Sequence, residues 1–339
     1  MIEKAMSALF LSLLLGAPLI GTDDPVRPRV PVTGPIRGTA ISIEEGRWLI
    51  NRQPTYPGSR AEGLLMNVRM VNAVFEDQGR ADFDAEANTT EFAEKIPDYV
   101  AAGVRAFTLN LQGGFPGYEG AINSAFNSDG SLRDPYLRRL RSILDVCSRN
   151  GAIVILGCFY QRQDQLLKDE EAVRAGLLNA AGWVKKSGFT NVLLEVANEF
   201  NHPGFDHAIL KTAAGQVDLI RLVQKKFPCL LVSTSGLGDG QMPEEICKVA
   251  DFLLPHFNST PVAEIPARIQ ALKRFGKPIV CNEDDKTGAE AAAAGEACVA
   301  NGASWGFMHD ELNQHYPFTF GGVSDDAVVY AKLRELTTR

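Results

Sequence analysis

Glu199 and Glu283 each stand at the end of a short apolar run in this 339-residue chain, where a carboxylate is free to leave a strand and enter a pocket. Glu199 closes the stretch Asn191-Val-Leu-Leu-Glu-Val-Ala-Asn198-Glu199-Phe200. Glu283 closes Lys277-Pro-Ile-Val-Cys-Asn282-Glu283, ahead of Asp284 and Asp285. Two carboxyl groups brought to one pocket suit the hydrolysis of a glycosidic bond. One donates a proton to the departing oxygen, and the other attacks the anomeric carbon. A separation of roughly 5–5.5 Å gives retention, and about 6.5–9.5 Å leaves room for a water and gives inversion. With acidic neighbours on both following positions, strand register decides which carboxylate faces inward, and a strand starting at Pro278 turns Glu283 to the pocket. Glu195 reads instead as a buried, hydrogen-bonded structural carboxylate. His256 ends another run, as an imidazole beside the nucleophile. Trp305 ends a further one, and its indole face suits stacking on a sugar ring. Asn198, Tyr160 and Gln112 complete the set of candidate substrate contacts.

Eight apolar runs carry these residues, at 64–71, 104–111, 152–159, 191–196, 229–233, 252–256, 278–281 and 303–307. Segments of helical periodicity separate them. In one, Leu137, Leu140, Leu144 and Cys147 fall at i, i+3, i+7 and i+10, a single helical stripe. Thr90 reads as the N-cap of a helix over 91–102. Strand–helix alternation implies parallel pairing with right-handed crossovers. Residues 40–339 fit one α/β domain, a closed (β/α)8 TIM barrel with a short N-terminal hairpin over 40–44 and 48–51. The same alternation suits an open doubly wound sheet, but no Gly-rich phosphate loop follows the first run. The glycines of Gly236-Leu-Gly238-Asp-Gly240 come too late in the chain for that role and read as a loop. In a barrel, strands four and seven end across the mouth from each other, on the face where such folds place their chemistry.

These residues resemble a known group. The Glu195-Val-Ala-Asn198-Glu199 run is similar to the strand-four signature of clan A glycoside hydrolases, family 5 in particular, where a Glu, two variable residues and an Asn-Glu pair end the strand. Pro278-Ile-Val-Cys-Asn-Glu283 resembles the nucleophile strand of that clan. His256-Phe257 resembles its His-x-Tyr-like end of strand six, and Trp305 falls where the clan has a tryptophan floor. The resemblance spans most of 40–339. It implies a cellulase-like retaining glycosidase acting on a β-linked glycan, with Glu199 as acid/base, Glu283 as nucleophile, Asn198 on the sugar 2-hydroxyl, and no cofactor. Two departures mark a divergent branch. Strand three ends Leu156-Gly-Cys158-Phe159-Tyr160 rather than in an Asp-x-His pattern. Strand two offers only Arg105, which begins its strand and points away from the mouth. They leave open a second reading, a catalytically silent carbohydrate-binding barrel of the cell envelope.

Other features bound the setting. Lys+Arg total 34 against 41 Asp+Glu, a net charge of −7 with no basic stripe, which argues against a nucleic-acid partner. Lys4 precedes an apolar stretch from Met6 to Ile20, and Gly21 stands before Thr22-Asp23-Asp24. Residues 1–21 therefore read as a secretory signal and 22–39 as a Pro-rich linker. That predicts a secreted or periplasmic protein with no membrane attachment after cleavage; nothing in the sequence sets an oligomeric state. Of the six cysteines, Cys147, Cys158, Cys281 and Cys298 lie in apolar surroundings and read as buried thiols. No Cys/His spacing suits zinc, and no metal is expected.

Overall fold

The computed structural model describes residues 38–339. The expected signal segment, and the expected linker up to residue 37, lie outside the described residues. The first elements form an antiparallel meander of β1 (Ile41–Glu44), β2 (Arg47–Ile50) and β3 (Gln53–Pro54), one strand more than the expected hairpin. Its first turn is Glu45-Gly46, with φ of 50° and 75°. Two left-handed residues in a row match the twist of the strands they join.

A parallel sheet follows, its strands alternating with helices: β4 (Asn67–Arg69), α1 (Ala85–Ala101), β5 (Ala106–Asn110), α2 (Asp134–Arg149), β6 (Ile153–Phe159), α3 (Glu170–Ser187) and β7 (Val192–Ala197). Then come α4 (Ala208–Lys211), α5 (Ala213–Lys226), β8 (Val232–Ser233), α6 (Glu244–Val249), α7 (Ile265–Lys273), α8 (Gly288–Ala300), β9 (Gly306–Phe307) and α9 (Ala327–Thr337). The six parallel strands pair in the order β8-β7-β6-β5-β4-β9, so the last strand lies beside the first. The runs at 252–256 and 278–281 form no ladder, contrary to the expectation of eight full strands. They pair through single parallel bridges, Ser235–Leu254, Leu253–Ile279 and Val280–Ser304. Pro255 and Pro278 bring no N–H to these runs, which interrupts the regular pattern of ladder bonds.

Local signals account for several helix ends. Asp169 accepts from the Ala172 N–H at 2.7 Å to open α3, and Gly188 closes it in the left-handed region at φ 78°. All four residues of the expected α2 stripe are buried. The start of α1 differs from the sequence reading. Asp84, accepting from Ala87 N–H at 2.9 Å, is the N-cap, and Thr90 lies inside the helix with its hydroxyl on the Glu86 carbonyl. A carboxylate six residues earlier satisfies the exposed N–H groups first.

Period-two alternation divides the strand side chains between two cores. Val154, Leu156 and Cys158 of β6 pack towards the helices with Phe107, Leu109 and Leu194. Ile153 and Ile155 point the other way and join Leu65, Ala106, Leu193, Phe252, Leu254 and Val280 in a separate cluster. Trp48 of β2 is fully buried against this second cluster, edge-on to Phe252 at 5.5 Å. The meander thus plugs the apolar end of the inner face. Truncating such an indole to alanine costs about 3–5 kcal/mol.

Candidate active site

Further along that same inner face the side chains turn polar. Arg69 of β4, Asn110 of β5, Glu195 of β7, Ser233 of β8, and His256 and Asn282 of the bridged runs are all buried. On β6 this layer is occupied by Gly157, where a Cβ would collide with the Asn110 amide, so glycine is what admits the larger side chain. Asn282 donates to Glu195 at 3.3 Å, and burial raises the Glu195 pKa despite Arg69 and His256 nearby. Glu195 therefore sits below the site, as read from the sequence, rather than in it.

Glu283 and Glu199 lie directly above this layer. Arg69 Nε is 2.8 Å from one Glu283 oxygen, and the Asn258 amide donates to the other at 2.7 Å. Between the two glutamates stands His256, its Nδ1 3.6 Å from Glu199 and 3.5 Å from Glu283. The nearest carboxylate oxygens of the pair lie within 4.8 Å of each other. Arg69 also donates to Asn198 Oδ1 at 2.8 Å. The Asn198 amide donates to Gln161 at 3.2 Å, and Gln161 donates to Glu199 at 3.4 Å. One connected polar circuit therefore links both acids. Glu199 itself has φ of 48°, a left-handed conformation that non-glycine residues adopt only when their surroundings impose it. Here the Ser235 hydroxyl accepts its N–H at 2.9 Å.

The electrostatics treat the neighbours differently. Burial pushes the Glu283 pKa up, but the Arg69 and His256 charges and the Asn258 hydrogen bond outweigh it, so the carboxyl is held below its ordinary value of 4.5. Burial works against a charged His256, yet the two carboxylates prevail and raise its pKa above 6.5. Tyr160, on the site wall, is raised by burial against the opposing pull of Arg69. Glu199, His256 and Glu283 each offer a ligand atom, but the Arg69 guanidinium already neutralises Glu283.

Of the residues singled out from sequence, Glu199, Glu283, Asn198, His256 and Tyr160 come together. Two do not. Trp305 is 1% exposed and faces helix α8, closely packed on Gly295, with its indole N–H donating to Asp284 at 2.9 Å. Its position in the strand puts it on the helix-facing side, so it cannot floor a sugar site. Gln112 is buried behind the wall, donating at 3.1 Å to both Ser124 Oγ and the Gln163 carbonyl. Asp284 takes the Trp305 N–H and the Lys286 ammonium, which leaves Glu283 as the acid beside His256 and Glu199.

Three functional residues were missed. Arg69 supplies the guanidinium from β4, whereas Arg105 binds the Val100 and Val104 carbonyls at the far end of β5. A charged residue inside an apolar run was the available signal, since a buried arginine requires partners. Asn258 lies two positions after His256 and so on the same face. Gln161 follows Tyr160 with no local signal at all.

A cleft of about 600 Å³ opens beside Glu199, between the segments that follow β5 and β6. Phe115, Tyr118, Tyr160, Gln161, Arg162 and His202 line it. His202 and His207 do not pair; Nδ1 of His202 accepts from Gly204, and His207 contacts the buried Asp164 at 2.9 Å. The loop at 236–240 folds back on the sixth run, with Gly240 N–H on the His256 carbonyl.

No protein-family model and no curated protein sequence matches the chain. Solved structures do. A GH5-4 broad specificity endoglucanase from an uncultured bovine rumen ciliate superposes with a TM-score of 0.58 at 12% identity, over 81% of this chain and 95% of that one. An endo-1,4-beta-mannanase from Eisenia fetida gives 0.58 at 14%, over 89% and 96%. A glycoside hydrolase family 5 enzyme from Prevotella bryantii gives 0.58 at 10%, over 84% and 99%. At such identities the likeness is one of architecture, and the chain therefore has the α/β fold of clan A glycoside hydrolases such as those of family 5.

Proposed function

We propose that this chain is a retaining glycoside hydrolase acting on a β-linked oligosaccharide or polysaccharide. The observation that carries the reading is the pair of glutamates with oxygens within 4.8 Å, one of them held ionised by Arg69. Oxygens this close support the shorter carboxyl separation, roughly 5–5.5 Å, that goes with retention. The structural neighbours include a broad specificity endoglucanase and an endo-1,4-beta-mannanase, which favour the same substrate class. We read the sheet as a closed eight-stranded barrel, because the bridges Ser235–Leu254, Leu253–Ile279 and Val280–Ser304 continue it from β8 to β9.

In this mechanism a Glu283 oxygen bonds to the anomeric carbon as the glycosidic C–O bond breaks. The departing oxygen takes the proton of the Glu199 carboxylic acid. Glu199, now a carboxylate, removes a proton from water. The water oxygen attacks the anomeric carbon and the Glu283 ester bond breaks, restoring both groups. Asn198, held by Arg69 and Gln161, is the group that meets the sugar 2-hydroxyl in this reading. No cofactor takes part in these steps. Arg69 also supplies the cation whose apparent lack favoured a silent binding barrel. The expected signal segment makes a secreted or periplasmic location part of the proposal, which cell fractionation tests.

The decisive experiment is treatment with 2-deoxy-2-fluoro β-glycosides bearing dinitrophenol. Stoichiometric dinitrophenol release with a covalent sugar on the Glu283 peptide is the expected result. A label on another residue, or hydrolysis of natural glycans to the inverted anomer, overturns the mechanism.

A further inference from the structure

We propose that the cleft beside Glu199 is a subsite for a neutral pyranose unit of the substrate chain, stacked on Phe115. This deepens the hydrolase reading and rests on it. Among the described residues the large apolar side chains that stand exposed are Phe115, Tyr316 and Val328. Phe115, at 40%, is the one of these that lines the cleft. An aromatic ring left in water at the edge of a concave site costs hydration free energy that a stacked ligand recovers.

The ring is held in place rather than loosely displayed. Gly113 and Gly114, just before it, have φ of 94° and 81°, and a Cβ on either would collide with Tyr160 or Asn72. The Pro116 carbonyl accepts the Tyr316 N–H at 2.9 Å, fastening this segment to the one after β9. On the other side the Arg162 guanidinium lies 5.6 Å from the Phe115 ring centroid and pairs with Glu119 at 2.9 Å. Arg162 has φ of 64°, a second left-handed non-glycine residue next to the site.

Continuity and charge identify the occupant. Gln161 both lines the cleft and donates to Glu199, so a unit in the cleft adjoins the proton donor rather than the nucleophile. Because Glu199 protonates the leaving oxygen, the cleft receives a sugar on the leaving-group side. The lining guanidinium is already neutralised by Glu119, and Gln161 and Gln165 add uncharged amides, while the Gln163 amide is held by Ala121 and Asn123. Such a lining suits hydroxyls and gives a uronate or sulfated sugar no free cation. The volume of about 600 Å³ is in the range of small-ligand pockets.

The test is calorimetric binding of cello-, manno-, xylo- and laminari-hexaose and their disaccharides to the Glu283→Gln protein. Phe115→Ala and Phe115→Trp are added to that background, and Val328→Ala, far from the cleft, is the control. At least one hexaose should bind, and Phe115→Ala should weaken it about tenfold more than it weakens the disaccharide. Phe115→Trp should restore it, and Val328→Ala should change nothing. Equal weakening at both lengths, no change on Phe115→Ala, or no hexaose binding overturns the subsite. Phe115-dependent binding by a wild-type chain that never turns over would instead defeat the hydrolase reading and leave the subsite standing. Turnover that requires both glutamates yet ignores Phe115 would do the reverse.

Discussion

The end of β7 and the segment that follows the seventh run each present one glutamate, and they hold it in opposite ways. Glu283 has an 8% exposed side chain with a guanidinium on one oxygen and an amide on the other. Its carbonyl is also locked, accepting the Phe257 N–H at 3.0 Å. Glu199 has a 15% exposed side chain, longer polar contacts and a left-handed backbone, and its partner Gln161 lines an open cleft. A group that must attack one carbon benefits from a fixed aim and a permanent charge. A group that must pick up and give away protons benefits from contact with water and from freedom to adjust. Under the proposed mechanism, this difference in restraint supports Glu283 as the nucleophile and Glu199 as the acid/base.

Substitutions can break that assignment. Glu283→Ala removes the bond-forming group and should lower kcat on every substrate, by about 10⁴-fold or more, in steady-state assays. Glu199→Ala should cost about 10²- to 10⁴-fold on natural glycans but much less on dinitrophenyl glycosides, whose leaving group needs no proton. Equal losses on both substrate types would mean that the roles are misassigned.

Arg69→Gln sharpens the electrostatic half of the comparison. Without the cation the Glu283 pKa rises, so the acid limb of the kcat/KM profile should move to higher pH. The sign for stability follows from the same shift. Glu283 is lower in the folded state, so its contribution is present above its ordinary value of 4.5 and is lost as pH falls through the folded value. His256 is raised, so its contribution is full below 6.5 and is lost as pH rises through its folded value.

The smallest expected effect separates the pocket from the packing behind it. Trp305→Phe removes the N–H held by buried Asp284 and should lower unfolding stability by about 1–3 kcal/mol in thermal melts, while KM stays within about twofold. A large rise in KM with unchanged stability would return Trp305 to the sugar site.

The alternation of apolar runs and helical stripes, the leading carboxylates and the His256 and Asn198 positions were legible because each is a local pattern. The strand ends of Asn191–Glu199 and Pro278–Glu283 carry their own register. Trp305 and Gln112 were misread for different reasons: Gln112 is taken up by Ser124 and Gln163 from segments beyond its own strand, and Trp305 faces the helices. A residue's place near a strand end is visible in sequence, but which side of the sheet it meets depends on where the ladder begins. The bridged seventh run and the two-residue β9 make that start hard to see. Arg69 escaped because its partners lie 129 and 214 positions away, at Asn198 and Glu283.

Residue order alone thus determined the α/β alternation, the two acids and the polar groups beside them, since these follow from short-range periodicity and side-chain chemistry. Only the tertiary structure decided that a guanidinium from β4 holds one acid, that Trp305 belongs to the packing against α8, and that Phe115 faces a cleft beside the other acid. Those outcomes depend on contacts between segments remote in the chain, and no local pattern encodes which remote side chain will arrive.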